Sequence, residues 1–181
     1  MTSSTLMHSD RHVGIAVVKA ALTEKPDGVL ESLAEAHKVS YRSVLECLAP
    51  EQRRSAPSGA FDSIWQDIAR WGPVMFIVHT VNGVFETKAP LPPGTHARGY
   101  FNIHGDSPIG GHLKIERLDV ITFVDRPFFG RRSCSIQFID RDGDAMFKVF
   151  VGRDAQRELL ADQVSRFEAL RKAHAPVDET R

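Results

Sequence analysis

Cysteine is scarce in this 181-residue chain, with only Cys47 and Cys134 present. They lie far apart and without CxxC spacing, so neither a disulfide framework nor a cysteine-based zinc site is readable, and a reducing compartment is the simpler expectation. An excess of charge is also missing. Twenty-three Lys+Arg stand against 23 Asp+Glu, a formal net charge of zero with a pI near 7.1. No overall field then draws the molecule to nucleic acid or anionic lipid, and any charged ligand must be met by a local patch. Long apolar runs are absent as well: residues 13–18 form one run near the N-terminus, closed by Lys19. It falls well short of the roughly 18 residues a membrane span needs, and no secretory cleavage site follows it. The expectation is a soluble cytoplasmic protein with no membrane insertion. GxSxG, GxxxxGKS and GxGxxG do not occur, which removes the motif-borne hydrolases, P-loop proteins and dinucleotide binders.

What is present is ordinary for a globular chain, 42% hydrophobic and 25% charged residues, in a length that suits one domain. Residues 1–25 read as a flexible tail and lead-in, and residues 26–175 as a single domain. Within it, 26–50 forms a helical hairpin: Val29, Leu30, Leu33 and Ala34 recur at helical spacing, and Ser40 is a good N-cap before residues 41–48. Residues 49–59 read as a linker. Phe61, Ile64, Trp65 and Ile68 recur at i, i+3, i+4 and i+7, marking an amphipathic helix over residues 60–72. From 73 to 152 the pattern changes to short β-rich runs with turn residues between them, about seven strands in an antiparallel meander. Asn82-Gly83 supplies the positive φ angles of a tight hairpin, and residues 141–144 supply a second turn. Asp154 is expected to cap a closing helix over residues 154–173 with an apolar stripe of Leu159, Leu160, Val164, Phe167 and Leu170. The fold class is α+β, an antiparallel sheet flanked by N-terminal helices and one C-terminal helix.

Chemistry is carried less openly. The segment LAEAHKVSYRSVLECL has the outline of a helix-turn-helix, but Arg42 is accompanied by Glu46, and Arg53-Arg54 fall off the second helix. A small helical hairpin packed on the sheet outweighs a DNA-reading one. Three of the eight histidines lie on or beside predicted strands: His79, His104 and His112. His79 shares a face with Met75 and Ile77, opposite Val74, Phe76 and Val78, so it stands near the exit of a strand that is apolar on both sides. An imidazole there is costly unless it is hydrogen-bonded. His112 shares a face with Lys114 and Glu116, opposite Leu113 and Ile115, and the preceding Gly110-Gly111 leave room for a close neighbour. A satisfied structural or surface histidine is the competing reading for each. No HxxxH or His-plus-carboxylate spacing specifies zinc or non-haem iron.

The stretches IWQDIARWGPVMFIVHT and ARGYFNIHGDSPIGGHLKIERLDVITFVDRPFFGRRSCSIQFIDRDGDAMFKVFVGRD resemble the HutX/ChuX family of cytosolic haem-utilisation proteins. The resemblance runs in family order from about residue 61 to residue 154. It implies a unit similar to one half of the tandem-repeat HemS/ChuS proteins, hence a homodimer. No internal repeat is visible here. It also implies a non-catalytic carrier that buffers imported b-type haem, held non-covalently, and passes it to a downstream haem-degrading or haem-accepting protein. The alternative is a haem-degrading, haem-oxygenase-like enzyme. The family's haem-handling histidines fall on His79 and His112, either of them the iron ligand. Arg98, Lys114, Lys148 and Arg153 are candidates for the propionates, with solvated surface the competing reading for each. Many relatives carry arginine where this chain has His104, which either removes a propionate contact or adds a third iron ligand.

Overall fold

The computed structural model describes residues 3–176. Three helices come first, α1 (Ser3–Glu24), α2 (Leu30–His37) and α3 (Tyr41–Glu46), followed by strand β1 (Arg53–Pro57) and helix α4 (Phe61–Ile68). Eight further strands follow: β2 (Pro73–Thr80), β3 (Gly83–Pro90), β4 (Gly94–Ala97), β5 (Tyr100–Ile103), β6 (Gly111–Leu113), β7 (Leu118–Phe128), β8 (Arg131–Asp140) and β9 (Ala145–Phe150). Helix α5 (Ala161–His174) closes the described chain. Every pairing is antiparallel, so the α+β class expected from the sequence is the class observed. The strands divide between two sheets, one in the order β1-β7-β8-β9-β2-β3 and a small one in the order β4-β5-β6.

The large sheet is covered unequally, and that positions the site. One face carries Ile121 and Phe123 of β7, Cys134, Ile136 and Phe138 of β8, Phe147 and Val149 of β9, and Val74 of β2, all buried against α4, α5 and the small sheet. Helix α4 has the spacing the sequence promised, and Phe61, Ile64, Trp65 and Ile68 are all buried. Around Trp65 the rings of Phe61, Phe101 and Phe147 have centroids within 5.1–5.9 Å, and the indole N–H donates to the Pro92 carbonyl at 3.0 Å. The opposite face is roofed only toward β7 and β8. There Val44, Leu45 and Leu48 of the helical hairpin, with Leu30, Tyr41 and Val18, pack on Val124 and Ile139 as a second, smaller apolar cluster. The hairpin therefore turns its stripe to the sheet. Arg42, the residue a DNA-reading helix would offer, is paired to Glu46 and Asp119. The N-cap on Ser40 is formed, its side chain accepting from the Ser43 N–H at 3.2 Å.

Four expectations are corrected. The first concerns residues 1–25, expected as a flexible tail and lead-in: α1 occupies most of them, because Val18 is fully buried and Leu22 packs beside it in the second cluster. Residues 49–59 are not simply a linker, since β1 pairs with β7 through Arg53↔Val124 to Pro57↔Val120. An edge strand needs only one protected side, and Ala56 alone of its residues is buried. The meander expected over 73–152 is broken by the separate small sheet, and residues 94–97 join it rather than serving only as a turn. Finally, the Asp154 carboxylate accepts from the N–H groups of Gln156 and Glu158, both at 2.9 Å, and closes a turn. The helix starts at Ala161, where buried Gln163 donates to the Trp71 and Pro73 carbonyls and accepts from the Gly152 N–H.

The β8–β9 turn lies where residues 141–144 were expected to make one. Gly143 there has φ +89°, and a Cβ on it would stand 2.9 Å from the Ser40 Cβ. Only glycine lets this turn approach the cap of α3 so closely, with the Arg42 N–H donating to the Gly143 carbonyl at 2.9 Å.

Candidate functional site

The uncovered part of the large sheet's second face forms the floor of a cavity of about 410 Å³, a size suited to a small-molecule ligand. Strand register lays the floor out in rows. One row runs Thr122, Gln137, Lys148, Ile77 and Glu86, and the next runs Val124, Ser135, Phe150, Met75 and Lys88. The floor is thus apolar on β2 and at Phe150, polar on β8, and charged at the β3 edge. Val29, Leu30, Glu31 and Tyr41 form a wall over it. The loop before α2 is fixed to the floor by Arg126, whose guanidinium donates to the Pro26 and Gly28 carbonyls at 2.7 and 2.8 Å.

His79 stands on β2 beside Met75 and Ile77, on the face the alternation assigned to it. Its side chain is 26% exposed, and Nδ1 lies 3.1 Å from Glu31 Oε1. The same carboxylate oxygen meets the ammonium of Lys148. Lys148 Nζ also donates to the Tyr41 hydroxyl at 2.9 Å, Tyr41 donates to Gln137 Oε1 at 2.7 Å, and Gln137 donates to Ser135 Oγ at 2.9 Å. A continuous polar chain therefore links the imidazole at one side of the cavity to the middle of β8.

Burial sets the protonation of this chain. It pushes the Lys148 ammonium down to about 7, with the Glu31 carboxylate working the other way by favouring the charged form. Burial also drives the Tyr41 phenol well above its usual range, against the opposing pull of Arg126 and the Gln137 hydrogen bond. The Arg126 guanidinium is itself lowered by burial, with Tyr41 and Asp27 opposing. In the folded chain Lys148 gives up its proton at lower pH than in the unfolded chain, so between about 7 and 10.5 the folded state binds fewer protons. Its contribution to stability therefore rises with pH across that window, by at most about 1.4 kcal/mol per pH unit. Urea unfolding of the native chain and Lys148→Met should show a free-energy difference that climbs in favour of the native chain from pH 7 toward pH 10. A flat difference would mean that Lys148 titrates as an exposed lysine.

The residues singled out from the sequence are divided between two places. His79, Lys148 and Arg153 line the cavity. Lys148 is corrected from solvated surface to buried floor, 4% exposed. The guanidinium of Arg153 is committed to two backbone carbonyls, of Arg157 at 2.9 Å and Arg132 at 2.6 Å. His112, His104, Arg98 and Lys114 lie outside the cavity, all exposed, on or beside the small sheet. His112 pairs in register with Asn102 and holds its Nδ1 2.6 Å from Asn102 Oδ1. Leu113 and Ile115, on the other side of that stretch, pack on the core as their alternation required. Sequence reasoning missed Glu31, Tyr41, Arg126 and Gln137. The available signal was in β8, where Ser133, Ser135 and Gln137 alternate with Cys134, Ile136 and Phe138 on a strand buried along both faces, a polar row that has to serve something.

A half-apolar cavity on one face of the sheet, with Lys148 buried in its floor and an imidazole at one side, has the concave, mostly apolar build of small-molecule sites. The profile of the haem utilisation ChuX/HutX family matches residues 54–170, and the chain belongs to that family. The intracellular haem transport protein HutX of Vibrio cholerae is 35% identical over 158 residues, 87% of this chain and 82% of that protein. A crystal structure of a protein from Agrobacterium tumefaciens aligns with a TM-score of 0.85 at 44% identity, covering 96% of this chain and 99% of the other. The structure of the haem-binding protein ChuX aligns at 0.78 and 36% identity, over 86% and 97% of the two chains. PhuS from Pseudomonas aeruginosa shares the fold alone, at 17% identity and a TM-score of 0.69, and 46% of its length is covered, so this chain corresponds to one half of that longer fold.

Proposed function

We propose that this protein is an intracellular haem carrier, holding b-type haem non-covalently and releasing it to a haem-accepting or haem-degrading partner. The observation that carries the reading is the cavity: an apolar floor of Met75, Ile77 and Phe150 meets an imidazole whose Nδ1 faces a carboxylate. With a carboxylate at Nδ1, Nε2 is left to a metal and the ring is a better ligand. The donor set fits haem. Lys88, exposed at the β3 edge of the cavity, is the cation placed to meet a carboxylate, whereas Lys148 is held by Glu31 and Arg126 by two backbone carbonyls, and neither Cys47 nor Cys134 lines the cavity to offer a thioether. His112 is the second candidate ligand, its Nδ1 likewise occupied by an oxygen, and Arg98, Lys114 and His104 lie near it in sequence on the small sheet or its flanking turns. The names of HutX and ChuX, for haem transport and haem binding, support the same cargo.

The reading includes a homodimer, which would restore the two-unit arrangement of the double-length relatives. Hemin titrated into the apo chain should give a saturable Soret band at one haem per chain, and light scattering at micromolar concentration should give twice 20.2 kDa. With ascorbate and catalase present the porphyrin spectrum should persist. Featureless, non-saturating absorbance would remove the carrier reading, and catalytic loss of the porphyrin band would turn the protein into an enzyme.

A further inference from the structure

The small sheet holds a side-chain arrangement that the family match does not explain. Asn102 sits opposite His112 in the β5–β6 register. Its Nδ2 points at three backbone carbonyls at once, those of Thr95 at 3.2 Å, Ala97 at 3.1 Å and Tyr100 at 3.2 Å. A carbonyl only accepts, so the amide nitrogen has to face them and the amide orientation is fixed by its surroundings. Oδ1 is then turned to His112, 2.6 Å from Nδ1. Because Oδ1 also only accepts, Nδ1 must carry the proton. In the neutral ring that leaves the lone pair on Nε2, on an exposed residue whose ring is flanked by Tyr100 at 6.0 Å between centroids.

We propose that Asn102 is a positioning residue that locks His112 as the Nδ1–H tautomer and presents Nε2 outward as a preformed metal-ligating nitrogen. The lock is a property of the apo chain, and its use for haem iron rests on the reading of His112 as a candidate ligand. An unconstrained neutral imidazole favours the other tautomer, with the proton on Nε2, which must first be moved before that nitrogen can bind a metal. By holding the proton on Nδ1 through a residue that is itself held by three carbonyls, the sheet removes this step and fixes the ring plane as well. The carbonyls that grip Asn102 belong to β4 and to the start of β5, so the orientation of His112 depends on all three strands of the small sheet being paired.

Long-range proton–nitrogen NMR of the apo protein, at a pH where His112 is neutral, reads the tautomer directly. The native chain should show Nδ1 protonated and Nε2 bare. Asn102→Leu, similar in size but without an acceptor, should shift His112 to the Nε2–H form. Circular dichroism checks that the variant is folded. Where His112 is the iron ligand, hemin affinity should fall about tenfold or more in Asn102→Leu, as when a metal-binding histidine loses the group that orients it, and should show no further fall when Asn102→Leu is added to His112→Ala. A native His112 with its proton on Nε2, or an unchanged tautomer in Asn102→Leu, would overturn the lock. If the lock holds and His112→Ala binds hemin as the native chain does, the lock stands while its use for haem iron fails.

Discussion

Hemin should bind the His79→Ala variant about 10- to 100-fold more weakly than the native chain, with a displaced Soret maximum. Three features set the size of this effect. The ring belongs to the apolar side of the cavity floor, its Nδ1 lies 3.1 Å from Glu31 Oε1, and 26% of the side chain reaches solvent, enough to meet a ligand from the mouth of the cavity. Removing it takes away the only imidazole lining the cavity among the described residues. Glu31→Gln is the informative companion. It leaves an oxygen toward Nδ1 but removes the charge that supports both the imidazole and Lys148, so affinity should fall less than for His79→Ala and in the same direction. Equal hemin titrations for His79→Ala and the native chain would move the iron ligand out of this cavity and leave the small sheet as the place to look.

The largest expected loss of stability is at Trp65. Trp65→Ala should cost about 3–5 kcal/mol, the range for emptying a fully buried aromatic site. The side chain is 0% exposed and touches elements that meet nowhere else in sequence: Phe61 on its own helix, Phe101 of the small sheet, Phe147 of the large one, and the Pro92 carbonyl between them. Losing it opens a cavity and leaves that carbonyl without its donor. Chemical denaturation with an unchanged slope and a much lower midpoint is the expected record. A loss below about 1 kcal/mol would mean the two sheets are held together by other contacts.

What could be read from the sequence was read where local physics decides the outcome. The four apolar positions of α4 and the Ser40 cap depend on neighbours three or four residues away, and each forms as expected. The β2–β3 hairpin forms as well, but one residue earlier than expected: Thr80 pairs with Gly83, so Val81 and Asn82 make the turn, and neither Asn82 nor Gly83 takes a positive φ. The face of His79 could be read for the same reason, since alternation along one strand fixes it. Strand β1 could not, because Arg53–Pro57 becomes a strand only by pairing with β7, far along the chain. Lys148 was also hidden. A lysine two positions after Met146 looks like a solvated residue until β8, α3 and α2 converge on it with Gln137, Tyr41 and Glu31. Helix α1 was hidden by its polar beginning, which outweighs in composition the two or three apolar residues that anchor it.

The wall of the cavity and the underside of the sheet that bears its floor are packed into different apolar clusters, which meet at Val124 and Ile139. Phe123, Phe138, Phe147 and Trp65 hold the sheet from beneath, while Leu30, Tyr41, Val44 and Leu45 hold the helical hairpin above. Cooperative units of a folded chain tend to follow such divisions. The hairpin therefore has a free energy of opening of its own, smaller than that of the whole molecule. Amide protons of α2 and α3 should exchange ahead of those in β7, β8 and β9, and a bound cargo that bridges wall and floor should slow the first group most. Release then requires only the cost of lifting one small cluster, with the sheet left intact to receive the next molecule.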